Sequence, residues 1–156
     1  MNLSDTNRGS FIVFPLAGRR FALPTTEVVE LIRTGSIHIF PHTTPGILGV
    51  LIRHGRILPV WDIAPAVLGE DEPTLKYCLI ARHNSAAEEP TAIPISGDCQ
   101  LVNAPMDLRP EGSPEHVQGV LSVDGEPVEV LELSRVGLLP SADAAVTEAV
   151  TAGGRL

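Results

Sequence analysis

Apolar residues fall in runs too short for helices, and the runs alternate with turn residues. Residues 11–16 (Phe-Ile-Val-Phe-Pro-Leu) have strand length, and the proline at 15 predicts an edge strand or a bulge. Ala17-Gly18-Arg19-Arg20 reads as a turn, with Phe21-Ala22-Leu23 returning as the second arm of a hairpin. Residues 25–32 fit a short helix capped by Thr25, and equally a strand, because Val28-Val29 and Leu31-Ile32 are branched pairs. A strand is predicted over residues 36–40 and a rigid loop over 41–46. The clearest hairpin follows: residues 49–52 run up, 53–56 turn and 57–61 run down. His54-Gly55 suits its tip, since histidine visits positive φ more readily than most side chains and glycine does so freely. Asp62 is placed to cap a short helix that reaches Leu68 and ends at Gly69. Further strands are expected at 77–81, 92–95 and 99–102, and a loop at 105–114. A second hairpin spans 119–133 around Asp124-Gly125, and a short helical turn follows at 135–139.

The two hairpins are one pattern written twice. Gly49-Val50-Leu51 recurs 70 residues later as Gly119-Val120-Leu121, Gly55 as Gly125, Val60 as Val130 and Leu68 as Leu138. Upstream, Ala22-Leu23-Pro24 faces Ala92-Ile93-Pro94, and a longer polar turn at 82–90 introduces a three-residue slip before it. A common offset over this length implies a duplicated small unit. Repeat one occupies about 10–69 and repeat two about 76–139. Residues 1–9 form an arm, 70–74 a polar linker and 141–156 a tail or short helix. Each copy has roughly 60 residues, a size at which a lone core is marginal, so the two are expected to fold as one domain over 10–140. Short strands, regular turn signals and 14 prolines predict an all-β fold of two small barrels.

Composition narrows the function. Hydrophobic residues make up 44% of the chain but aromatics only 4%, so the core must be built from Val, Ile, Leu and Ala. A formal net charge of −8 argues against the basic footprint that nucleic acids or anionic membranes require. The first nine residues lack a secretory apolar core, no apolar run spans a bilayer, and the two cysteines form no CxxC pair, all of which point to the cytoplasm.

Candidate chemistry is sparse. His38 and His42 stand four apart, but Pro41 between them and the strand-loop context break the helical geometry a metal pair needs; no metal or cofactor is expected. His83 and His116 lie in polar loops. Cys78 sits in an apolar strand, and Cys99 follows Asp98, whose charge disfavours a thiolate. Trp61 reads as a half-buried barrel residue or a binding aromatic. No nucleophile elbow, phosphate-cradling loop or paired carboxylates are present, so no catalytic residue is assigned. The strip Ile37-His38-Ile39-Phe40 with residues 47–52 holds more apolar side chains than one face of a small sheet uses, and a leftover strip would bind protein.

At the first hairpin a resemblance enters. Phe11-Ile12-Val13-Phe14, Phe21-Ala22-Leu23-Pro24, Val28-Val29-Glu30-Leu31 and Gly49-Val50 resemble the opening of CheW-type chemotaxis coupling proteins. Residues 55–63 (Gly-Arg-Ile-Leu-Pro-Val-Trp-Asp-Ile) are similar to that family's RG-x-I-x-P-V-x-D-L signature. The resemblance implies two interlocked five-stranded SH3-like barrels and a non-enzymatic adaptor, recruited to receptor arrays, that joins the cytoplasmic tip of chemoreceptors to the regulatory domain of a CheA-type histidine kinase. It implies kinase binding around Val28, Glu30, Leu31 and Ile37, and receptor binding near Gly49, Ile52, His54 and Gly55. One departure stands out: where the family has Asn-Leu-Arg-Gly, this chain has Ile52-Arg53-His54-Gly55. Arg53 or Arg56 could replace the missing arginine, although adjacent strand residues point to opposite faces. That departure raises a second adaptor reading, a scaffold that binds kinase or like domains but not standard receptors, in a pathway other than flagellar swimming. From another class, a small β-barrel enzyme or ligand-binding protein would be distinguished by a deep pocket with converging polar groups.

Overall fold

The computed structural model describes residues 8–34, 37–39, 46–69, 76–82 and 89–136, and most of these lie in strands. The strands are β1 (Arg8–Leu16), β2 (Arg19–Pro24), β3 (Val28–Arg33), β4 (Ile37–Ile39), β5 (Ile47–Arg53) and β6 (Arg56–Trp61), then, after helix α1 (Ala64–Leu68), β7 (Tyr77–Ala81), β8 (Thr91–Ile95), β9 (Gln100–Pro105), β10 (Asp107–Leu108), β11 (Val117–Val123) and β12 (Glu126–Leu131). Single 3-10 turns cover Thr25–Glu27 and Leu133–Arg135. Residues 1–7 of the expected arm, the linker, the tail, His42, His83 and Phe40 lie outside the described residues, while Arg8 and Gly9, expected in the arm, belong to β1 and pair with Pro105 and Ala104.

The strands form two six-stranded sheets, in the orders β10-β11-β12-β2-β1-β9 and β3-β7-β8-β6-β5-β4. Each sheet takes its first hairpin from one copy of the repeat and its other four strands from the other copy. The registers carry the duplication residue by residue. Gly49 opposes Val60 and Leu51 opposes Leu58; Gly119 opposes Val130 and Leu121 opposes Val128. Both hairpins have a register shift just before the glycine. The exchanged hairpins join by short parallel contacts at equivalent places, Val60 beside Ala92 and Val130 beside Ala22. The three-residue slip is honoured too, since Leu31 opposes Leu79 where Leu101 opposes Ile12.

Three apolar clusters follow. Ile32, Leu51, Leu58, Val60, Cys78, Ile80 and Ala92 fill the curl of the β3–β8 sheet. Their repeat counterparts Leu121, Val128, Val130, Phe11, Val13 and Ala22 fill the other, with Val102 packed against them. Between the sheets lies the third cluster, which includes Phe14, Phe21, Leu23, Trp61, Ile63, Leu79, Ile93, Leu131 and Leu133. The interior faces of the strands thus serve a sheet core and a shared core in alternation, as the pleat requires.

Several expectations change. β1 is an inner strand, not an edge; its pairing with β9 ends at Val13, so Pro15 lies beyond that ladder, where no donor is needed. Thr25 caps nothing: it lies inside the 3-10 turn, whose N-cap is Pro24, and the branched pairs after it form β3. Asp62 does bond the start of α1, its Oδ1 accepting from the Ala64 amide at 3.1 Å, and Gly69 ends the helix in the left-handed region. The loop predicted at 105–114 contains the two-residue strand β10. Trp61 is fully buried in the shared core rather than half-buried. Each curled sheet adds a short sixth strand, β4 or β10, to five longer ones.

Candidate protein-docking surface

β3 presents two different faces. Ile32 is buried and Val28 and Glu30 are partly buried, whereas Val29, Leu31 and Arg33 are exposed, and a register shift between Val28 and Glu30 interrupts the alternation. Val29 and Leu31 remain 43% and 38% exposed, which is unusual for adjacent outward positions on an apolar strand. Arg33 lies over the Tyr77 ring at 5.8 Å. Of the four residues expected at the kinase surface, Leu31 is the one that offers an outward apolar side chain. Val28 packs against the shared core, Ile37 packs against the core of its own sheet, and Glu30 sits at the sheet's rim. Val29 was not singled out in the sequence; it lies at the register shift between Val28 and Glu30, which a strict two-residue alternation does not foresee.

The residues expected at the receptor surface lie on β5 and its turn. Gly49 is buried and pairs with Ile39 and Val60. Ile52 is 53% exposed. His54 and Gly55 form the tip, with φ of 51° and 74°, matched by 52° and 79° at Asp124 and Gly125. The turn geometry expected from the sequence is therefore present in both copies.

The structure brings the two expected surfaces together at one place. Arg53 donates from Nε to Glu30 Oε1 at 2.9 Å and from Nη2 to Glu30 Oε2 at 3.3 Å. His54 Nε2 lies 3.9 Å from the same Oε1. The hydrogen bonds from Arg53 hold the Glu30 carboxyl below the usual carboxylate range. Arg53 reaches Glu30 because it shares a face with Leu51, two residues back, and Leu51 meets Ile32 in the core. Opposite faces do separate Arg53 from Ile52, but Glu30 is on Arg53's side.

Cys78 is buried, its thiol raised by burial and its sulfur accepting from Thr34 Oγ1 at 3.3 Å. Burial and then Asp98 push the Cys99 thiol up to about 11. Among the described residues no three His, Cys, Asp or Glu side chains gather as metal ligands, and no helix is long and apolar enough to cross a membrane. An open cleft of about 430 Å³ is lined by Leu108, Glu115, Gln118, Glu132 and Arg135 among others. Within it Arg135 pairs with Glu132 at 3.3 Å, and the Gln118 amide donates to the Leu131 carbonyl at 2.8 Å.

The family described as CheW-like domain matches residues 10–85. Among solved structures, the scaffolding protein TtCheW from Thermoanaerobacter tengcongensis has the same fold, with a TM-score of 0.68 at 18% identity over 80% of this chain and 88% of that one. No curated protein matches the sequence. The chain is therefore similar to the CheW-like domain in sequence across its first repeat, and it shares the fold of that scaffolding protein across most of its length.

Proposed function

We propose that this chain is a non-enzymatic adaptor that couples the cytoplasmic tip of chemoreceptors to the regulatory domain of a CheA-type histidine kinase, at receptor arrays in the cytoplasm. The observation that carries the reading is the outward apolar face of β3, Val29 and Leu31, on a CheW-like fold. A shallow apolar strip suits protein docking, and the residues with strongly raised pKa, Glu27 and Cys99, are not among those lining the cleft. Leu31→Asp tests it. The side chain faces outward, so the variant should keep its fold, and a charge in an apolar interface centre should weaken kinase-domain binding by ~2 kcal/mol or more, about thirtyfold. Pull-downs beside thermal melts read both quantities; a folded variant that binds as wild type removes Leu31 from the interface.

One observation favours the second adaptor reading, a scaffold for kinase or like domains that does not take standard receptors. The position of the family's arginine holds His54, 74% exposed, and the neighbouring Arg53 is already engaged by Glu30. An arginine at 54 would add a permanently charged fork of donors. His54→Arg should therefore tighten binding to a conventional receptor-tip hairpin about ten- to a hundredfold, the worth of one charge-assisted hydrogen bond. Calorimetric titration of wild type and variant decides it, and equal affinities would show that residue 54 only shapes the turn.

A further inference from the structure

Each sheet ends in two edge strands, and three of these four edges are guarded. β10 has two residues and β4 three, which is short for a strand that templates another. β3 carries Glu30 and Arg33 and is interrupted by the register shift between Val28 and Glu30. Charges and bulges of this kind keep an open edge from pairing with other chains. β9 has neither. It runs for six residues, Gln100–Pro105, and pairs with β1 through all of them without a shift. Its opposite edge has no strand against it among the described residues. The repeat sharpens the contrast. Leu31 recurs as Leu101, while Glu30 is matched by Gln100 and Arg33 by Asn103. β9 therefore keeps the outward leucine, 62% exposed, and has amides where β3 has charges. Asn103 Oδ1 accepts from Ser10 Oγ, which leaves the Asn103 amide donors without a partner among the described residues.

We propose that β9 is a self-association edge, which pairs antiparallel with β9 of a second copy of this chain about a two-fold axis through Val102. Directly opposed residues of an antiparallel pair share a face, so this axis sets Leu101 opposite the partner's Asn103. Charge selects the occupant. A chain with a formal net charge of −8 repels its own copies over most of its surface, and β9 is a stretch with no charged residue. The two ends of the strand are flanked by opposite charges. Asp98 precedes it, and Arg8 of β1 lies beside Pro105 at its far end. Both are exposed, and neither is in an ion pair among the described residues. Antiparallel pairing sets the Asp98 end of one copy about two strand spacings from Arg8 of the other, ~10 Å, a distance over which charges still act at 0.1 M salt. Parallel pairing would bring like ends together. The pairing consumes the one unguarded edge of each copy, so association closes at the dimer.

Sedimentation equilibrium of the full chain at neutral pH and 0.1 M salt tests this, with thermal melts to check that each variant is folded. One strand edge is a small interface, so the monomer–dimer midpoint is expected at about 10–100 μM. Leu101→Lys should keep the wild-type melting temperature and weaken the dimer about tenfold or more, and Asn103→Lys, a second charge on the same face, should act alike. Arg8→Glu should weaken it about three- to tenfold, through two exposed charge contacts per dimer. Combining Arg8→Glu with Asp98→Arg should restore the wild-type midpoint. Only a second copy can supply that rescue, since within one chain the two residues lie at opposite ends of the β1–β9 ladder. A chain that stays monomeric up to ~1 mM overturns the proposal. So does a dimer that both lysine variants leave unchanged. A dimer that Arg8→Glu weakens and the charge swap does not restore overturns the antiparallel two-fold pairing.

Discussion

At the scale of single residues, Glu27 is the carboxylate most out of its ordinary range. Burial first, and the neighbouring Glu132 second, push it up from 4.5 to about 7. The unfolded chain releases this proton near pH 4.5 and the folded chain near 7. The folded state holds it more tightly in that window, so the stability from this group is complete below the window and is lost as pH rises through it. Glu27→Gln removes the titration. It should melt above wild type at pH 8, with the difference closing at pH 5, and a difference that is equal at both pH values would show that Glu27 does not titrate in this range. Nothing in the sequence around Glu27 announced this, because Glu132 is more than a hundred positions away. Arg53 was partly legible: it was named as a stand-in for the missing arginine, but the face it shared with Glu30 depended on where β3 curls to. The His54-Gly55 and Asp124-Gly125 turns were fully legible, since positive φ is a local demand that local residue types meet.

Elements tell a similar story. The hairpins were visible because their apolar alternation and turn residues are contained within about a dozen positions. β10 was not, because two residues held by a neighbour carry no period of their own. Its attachment depends on Gly119. A Cβ built there would lie 2.5 Å from Met106 Cγ and 2.8 Å from the Asp107 carbonyl oxygen. Met106 can swing away, but the Asp107 carbonyl belongs to β10 itself, which pairs with β11 through Asp107 and Leu108. Gly119→Ala should therefore cost about 1–3 kcal/mol, the usual range for overpacking. Adding Met106→Ala should recover only part of it. Denaturant melts measure the loss, and hydrogen exchange should show the β10 amides opening first. A silent Gly119→Ala would mean that β10 is not held against the glycine.

For the whole molecule, the repeat offset gave the two copies, but it is blind to the exchange of hairpins. An offset records which residues are alike, and both the exchanged and the unexchanged pairings satisfy the same registers. Exchange has a physical consequence: neither copy can complete a sheet alone, since β1–β2 lies in the sheet of copy two and β7–β8 in that of copy one. Fragments 1–72 and 73–156 should each be largely unfolded, and mixing them should restore the native circular dichroism spectrum. Two independently folded fragments would contradict the exchanged topology as a requirement for stability.

The same exchange sets an order for synthesis. The hairpin β1–β2 is synthesised before its neighbours β9 and β12, and Val130, which pairs with Ala22, is made over a hundred residues later. The β3–β8 sheet needs nothing beyond Ile95 and can close first. Through that interval β1–β2 has two open edges and carries Phe11, Phe14 and Phe21, residues that end in two different cores. Unpaired strands of this kind invite pairing with other nascent chains. Until β12 is made, β1–β2 therefore waits without its partners, and mispairing in that interval is a hazard that the exchange itself creates.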